Sequence, residues 1–360
     1  MHHPITEIQK RKSVHINESG FSLIELMVAM VVFLIVTGAI WGLLQVAQRG
    51  RTTVSEGVQL NKSVRFGMNM IGRDTYNAGF GYPIESTVVL TNNRLSGLLG
   101  IPADYDTTRD TIPPIIVGND VTENTFNTTP NTFTDQVTFL FKDSTFNVVT
   151  DVDTGLSLSQ PLDINAATTV DEIDEILPIA GSNAACRAND IFLVTGSTGS
   201  TVGVATGLNG TDKVQFANGD ILGFNRTGPS GWLRGITTPA SMMRVLMVTY
   251  HVTQDGTLMR RRYANLPPPA DPWVDEPLVY GVENFQIQYV MDDGSLSDNP
   301  SAGPDGVPGN SDDDQANLTK IRQIRFTLSV KSNEFDQTGQ PYRSTMTSTF
   351  GTRNLGYEAN

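Results

Sequence analysis

The sequence predicts an α+β protein, a long amino-terminal α-helix followed by a β-rich globular domain. Three observations carry that prediction. A charge-free apolar run extends from Leu26 to Leu44. No proline stands between Pro4 and Pro83, so one helix can continue through the run to about Thr75. Beyond residue 76, short runs rich in Val, Thr and aromatic residues alternate with turn formers. The chain therefore divides into a polar segment 1–20, a helix 21–75 and a β-rich domain 76–360.

Within the helix, 21–44 is the apolar part and 45–75 the amphipathic part. At about 1.5 Å per residue the charge-free run just crosses a bilayer core of roughly 30 Å. It is too long for a secretory signal peptide and has no small-x-small cleavage site at its end. Lys10-Arg11-Lys12 precede it and Arg49 and Arg51 follow it, so charge alone leaves its orientation open. Gly38 and Gly42 form a GxxxG, which permits close helix approach. Further on, Leu60, Val64, Met68 and Ile71 make one apolar stripe, opposite Asn61, Lys62, Arg65, Asn69 and Arg73. That stripe is expected to pack on the globular domain.

Ala78-Gly79-Phe80-Gly81-Tyr82-Pro83 is expected to end the helix. Strands are expected over Val137–Phe141, Ile191–Thr195 and Val245–Val252. Phe285, Ile287 and Tyr289 alternate with glutamines, and Ile324, Phe326, Leu328 and Val330 alternate with polar residues. Period two marks strands with one solvated face. Asp255-Gly256 predicts a hairpin turn, which Arg260-Arg261-Arg262 continue. Residues 104–135 and 150–185 are Thr/Asn/Asp-rich and are expected to be long loops. Leu266 to Pro272 reads as a stiff extended connector.

Composition excludes several functions. Lys and Arg number 25 against 38 Asp and Glu, a net charge of -13, which argues against nucleic acid as a partner. A single cysteine, Cys186, excludes an internal disulfide and a CxxC metal site. His2, His3 and His15 lie near the start, leaving His251 alone in the body of the chain. His-rich metal chemistry and most His-based nucleophilic catalysis fall with them. His251 sits in a strand pattern and reads as structural.

Glu25 is the unusual residue of the apolar segment. A carboxylate in a membrane helix costs roughly 2.5–3.5 kcal/mol on insertion scales and is by default functional. A free amine at Phe21, one turn away, would partner it.

Gly20-Phe21-Ser22-Leu23-Ile24-Glu25-Leu26 resembles the type IV prepilin cleavage site. The resemblance implies cleavage between Gly20 and Phe21 by a prepilin peptidase and N-methylation of Phe21. It makes 1–20 a leader held on the cytoplasmic side, with the rest of the chain outside, and gives Glu25 a role in assembly. Arg65 to Asp74, then Asn77-Ala78-Gly79-Phe80, and Val279 to Tyr289 with Asp292-Asp293, resemble the minor pilins called PilW. These are similar to the J-type pseudopilin of type II secretion. The leader is longer than those of most type IVa pilins, and Gly42 stands where many major pilins carry a proline.

On that resemblance the chain is a non-enzymatic minor pilin in an initiation and tip complex. The precursor would cross the inner membrane once and then move to the periplasm or an extracellular pilus tip, in a system for adhesion and twitching motility. Its implied partners are the prepilin peptidase, other minor and major pilins, the inner-membrane assembly platform and the membrane. A type II pseudopilin, a tip adhesin and a membrane-tethered enzyme are the competing readings.

Asp292 to Asp314 holds seven aspartates and no basic residue. Oxygen ligands spaced by Gly and Pro suit Ca2+, with Asp305, Asn310, Asp312 and Asp314 as the expected ligands. A solvated acidic loop is the alternative.

Overall fold

The computed structural model describes residues 20–83, 94–101, 112–127, 129–144, 149–152, 168–170, 187–196, 199–209, 213–217, 219–225, 240–263, 271–311, 313–335 and 339–355. Cys186, Asp312, residues 1–19 and most of the Pro-rich connector lie outside them.

Helix α1 runs over Leu23–Asn77, and a short α2 covers Arg94–Leu99. The strands follow: β1 Ile115–Glu123, β2 Phe133–Lys142, β3 Val149–Val152, β4 Thr168–Val170 and β5 Ile191–Gly196. Next come β6 Gly199–Val204, β7 Gly207–Asn209, β8 Lys213–Phe216, β9 Ala240–Val252 and β10 Thr257–Tyr263. The last are β11 Trp273–Tyr280, β12 Val282–Met291, β13 Leu296–Ser297, β14 Ile321–Phe335 and β15 Pro341–Gly351. The fold is α+β, with antiparallel sheets after the long apolar helix.

Contacts divide the chain into two compact units, Met1–Ser55 and Glu56–Asn360. In the first, the apolar side chains of α1 are exposed along its length. In the second, an eight-stranded sheet has the central order β1-β2-β9-β10-β11, with β3 and β5 on the early part of β9 and β6 on β5. A four-stranded sheet has the order β13-β12-β14-β15, and a small one the order β4-β8-β7. The Asp255-Gly256 turn joins β9 to β10, with Gly256 at φ +79°.

Leu60, Val64, Met68 and Ile71 are buried against β2, β9, β12 and β14, as their spacing predicts. Two helical glycines allow this close approach. A Cβ at Gly67 would stand 2.6 Å from Val279 Cγ2, and one at Gly72 would stand 2.4 Å from Phe350 Cε1. A second core cluster gathers Tyr82, Leu95, Leu99, Ile191, Leu193, Val202 and Phe224.

Asp74, in the last turn of α1, is buried. Its Oδ2 accepts from the Tyr250 hydroxyl at 2.7 Å and from Arg260 Nε at 2.9 Å. Arg260 also reaches Glu276 at 3.0 Å. Asp135 ties β2 to β12, accepting from the N–H of Asp120 at 2.9 Å and of Ile287 at 2.7 Å.

The loop expectation for 104–135 fails where β1 and the start of β2 lie. Ile115, Ile116 and Val117 are buried and pair with Phe139, Thr138 and Val137. Threonine is a good strand former, so a polar composition averaged over the stretch concealed a strand nucleated by three aliphatic residues. β3 and β4 likewise interrupt 150–185.

Candidate processing and assembly segment

Gly20 and Phe21 precede the first helical residue. Gly20 is exposed, with nothing within 4 Å of where a Cβ would stand, and Phe21 is 87% exposed. Ser22 caps the helix. Its Oγ accepts from the Glu25 N–H at 3.3 Å, while Glu25 Oε2 accepts from the Ser22 N–H at 3.0 Å. This reciprocal pair is a capping box, and it satisfies two amide donors that the helix start would leave open. The carboxylate also sits at the positive end of the helix dipole.

The pattern Ser22-x-x-Glu25 is legible in the sequence as a helix start, a signal that a reading of Glu25 through an amine partner passes over. In this chain the nitrogen of Phe21 is a peptide amide, and the Glu25 carboxylate bonds the Ser22 N–H. Cleavage would create the competing amine. Leu23–Gln48 is long and apolar enough to cross a membrane.

Residues 16–41 match the prokaryotic N-terminal methylation motif. The match supports the type IV pilin and pseudopilin group, implies processing by a prepilin peptidase and fits a membrane-anchored precursor. It covers the amino-terminal segment alone. No curated protein matches the chain.

In the acidic loop, several carboxylate oxygens accept from nearby backbone and side-chain donors, while Asp313 Oδ1 is buried with no partner among the described residues. Asp305 Oδ1 accepts from the Val307 N–H at 2.8 Å, and its Oδ2 from Asn310 Nδ2 at 2.9 Å. Asp313 Oδ2 accepts from the Gly309 N–H at 2.6 Å. Asp314 Oδ1 accepts from the Ala316 N–H at 2.9 Å and caps the turn Gln315–Lys320. Among the described residues, no group of three His, Cys, Asp or Glu side chains is placed to hold a metal ion.

His251 lies in β9 opposite Met259. Burial, reinforced by Arg261 and opposed by Asp275, lowers its pKa to about 4, so it is neutral near pH 7. Each arginine of the triplet faces a carboxylate. Arg260 meets Asp74 and Glu276, Arg261 meets Asp275 at 2.7 Å, and Arg262 meets Glu276 at 3.7 Å. Arg261 also lies over the Trp273 ring at 4.6 Å. The arrangement ties β10 to β11 and to α1.

Proposed function

We propose that this chain is a minor pilin of a type IV pilus, of the PilW type, acting in assembly initiation and the tip complex. Cleavage falls between Gly20 and Phe21, followed by N-methylation of Phe21. The observation that carries the reading is the methylation motif at 16–41, which runs through exposed Gly20 and Phe21 into a capped, apolar helix. Groups bearing this motif are generally structural, and the segment offers a substrate for a peptidase rather than a catalytic group. Its partners on this reading are the peptidase, other minor and major pilins and the inner-membrane platform. A large β domain suits a terminal subunit, which makes fewer of the repeated contacts of a shaft.

The test has two arms. Mass measurement with and without the peptidase should give a mature chain starting at methylated Phe21, and Gly20→Val should block the cut. Any other start would overturn the processing site. Deleting the gene should then reduce piliation with the shaft subunit still present. Intact pili with lost secretion would transfer the chain to the pseudopilins, which the same motif supports.

We also propose Ca2+ as an occupant of the loop 292–314, with Asp305, Asn310, Asp312 and Asp314 as ligands. The ion would replace the hydrogen bonds that Asp305 and Asp314 now make, and would relieve repulsion among the aspartates. Thermal melting in EDTA and then in millimolar calcium should differ. Identical melting, with no heat on calcium titration, would leave a solvated loop.

A further inference from the structure

We propose that the outer edge of β15 docks an extended, acidic segment of a different protein chain, which adds as a further antiparallel strand beside the basic flank of α1. The proposal rests on the edge itself and stands independently of the pilin reading.

β15 pairs with β14 on one side. The Thr352 N–H donates to the Arg322 carbonyl at 2.9 Å, and the register continues as Phe350 with Ile324, Ser348 with Phe326 and Met346 with Leu328. Even-numbered residues of β15 therefore exchange hydrogen bonds with β14. The Lys331 N–H donates to Gly281, which turns the odd residues of β14 toward β12 and agrees with this phase. The N–H and C=O groups of Thr345, Thr347 and Thr349 consequently point outward from the sheet. Among the described residues nothing is bonded to them.

Such an edge is a template for pairing, and proteins usually blunt it. The other long edges are blunted. β11 carries Asp275, Glu276 and Pro277, with a register shift opposite Leu258 and Met259. β1 breaks register between Gly118 and Thr122, around Asp120 at φ 51°. β15 begins with Pro341, a register shift and Arg343, but past Arg343 it has neither device. From Ser344 to Gly351 it contains no charge and no proline, and its pairing with β14 is regular from Arg343 to Gly351.

The side chains of β15 separate cleanly by face. Met346 and Phe350 pack on the core, and Ser344 Oγ bonds Asn61 at 2.9 Å. On the solvent face Thr345 meets Ser329 at 2.9 Å and Thr347 meets Thr327 at 3.0 Å. The adjacent flank of α1 is fixed by Asn61 on Ser344, Gly72 against Phe350 and Tyr76 against the same ring. Arg65, four residues from Asn61 and seven from Gly72, lies on that side of the helix and is exposed. Between Glu56 and Asp74 the helix carries Lys62, Arg65 and Arg73 and no carboxylate. Exposed Arg353 extends the basic flank over Tyr76 at 4.8 Å.

An added strand would place one set of alternate side chains under Arg65 and the other beside the threonines. Acidic residues suit the first set and small β-formers the second. The same charges disfavour a second copy. Pairing β15 with its own copy about a two-fold axis would put two helices on one face of a continuous sheet, with their basic flanks opposed.

The test uses the full chain in detergent micelles, with an end-blocked nine-residue peptide of alternating Thr and Glu as probe. Hydrogen exchange is read at the amides of Thr345, Thr347 and Thr349. Millimolar peptide should slow it about tenfold. A Thr/Lys peptide, or the Thr/Glu peptide with alternate amides N-methylated, should not. Arg65→Glu should reverse the preference between the two charges. Thr347→Pro removes an outward N–H while leaving the β14 ladder, so it should keep native melting and lose the peptide effect. If Thr347→Pro unfolds, Arg65→Glu still decides. No slowing by the Thr/Glu peptide, or equal slowing by the Thr/Lys peptide, overturns the proposal. So does protection that rises with protein concentration in the absence of peptide, which would mean self-pairing.

Discussion

At Asp74 the carboxylate receives Tyr250 and Arg260 in a dry setting, joining the end of α1 to β9 and β10. Burial, then the nearby Asp74 charge, raises the Tyr250 pKa, so its hydroxyl stays protonated and donating. Removing the carboxylate leaves the buried guanidinium with only the half-exposed Glu276, and the Tyr250 hydroxyl without its acceptor. Asp74→Ala is expected to cost about 3–5 kcal/mol, read as a lowered denaturant midpoint, and a change within ordinary surface scatter would show that the cluster is not needed. Glu25 poses a different question, because the carboxylate that caps the helix is also the one proposed to act in assembly. Glutamine at that position keeps the capping box but not the charge. If assembly uses a pair between Glu25 and the new amine at Phe21, Glu25→Gln should impair incorporation into the appendage as severely as Glu25→Ala. Normal incorporation of the glutamine variant alone would assign Glu25 to capping.

Between elements, the helix–sheet contact is set by small residues as much as by the apolar stripe. Alanine at Gly72 gains helix propensity of about 1 kcal/mol but drives a methyl into Phe350, and overpacking typically costs about 1–3 kcal/mol. Gly72→Ala is therefore expected to destabilise, whereas Gly57→Ala, with nothing within 4 Å of its Cβ, should stabilise slightly. Opposite effects of the two in the same melting assay check the close approach. The tie between β2 and β12 has a pH signature. Burial raises the Asp135 pKa from 3.8 to about 6, against the backbone N–H groups of Asp120 and Ile287 that favour its charge. A carboxyl whose folded pKa is raised holds its proton more tightly in the fold, so its contribution is greatest at low pH and is lost as pH rises through about 6. Between pH 5 and 7 that loss is about 1 kcal/mol. Asp135→Asn should be less stable overall, yet it should lose less stability than wild type over that interval. Parallel pH profiles would exclude Asp135 as the titrating group.

Across the whole molecule, what could be read in advance followed from periodicity. The stripe Leu60, Val64, Met68 and Ile71, the alternation at 285–289 and 324–330, and the Asp255-Gly256 turn each stand in the structure as their spacing implies. The amino-terminal motif was equally legible, because a peptidase reads local sequence. Contacts between distant segments were not. Gly67 and Gly72 look like weak helix positions until Val279 and Phe350 are placed against them, and Asp74 has no visible partner until β9 and β10 arrive 176 and 186 residues later. β1 was hidden by a polar composition. The same long-range dependence decides where the chain can be cut. The stripe on α1 belongs to the unit that begins at Glu56, although the helix starts at Leu23. Burying one large aliphatic side chain is worth about 1.5–3 kcal/mol, so the four residues together rival the entire stability of a domain, about 5–15 kcal/mol. A chain starting at Glu56 is therefore expected to be soluble and to unfold in one cooperative transition. A chain starting at Asn77, which keeps every strand but loses the stripe and Asp74, should lack that transition and bind hydrophobic dye. Calorimetry on both distinguishes the cases, and cooperative melting of the shorter chain would show that the sheets hold a core without the helix.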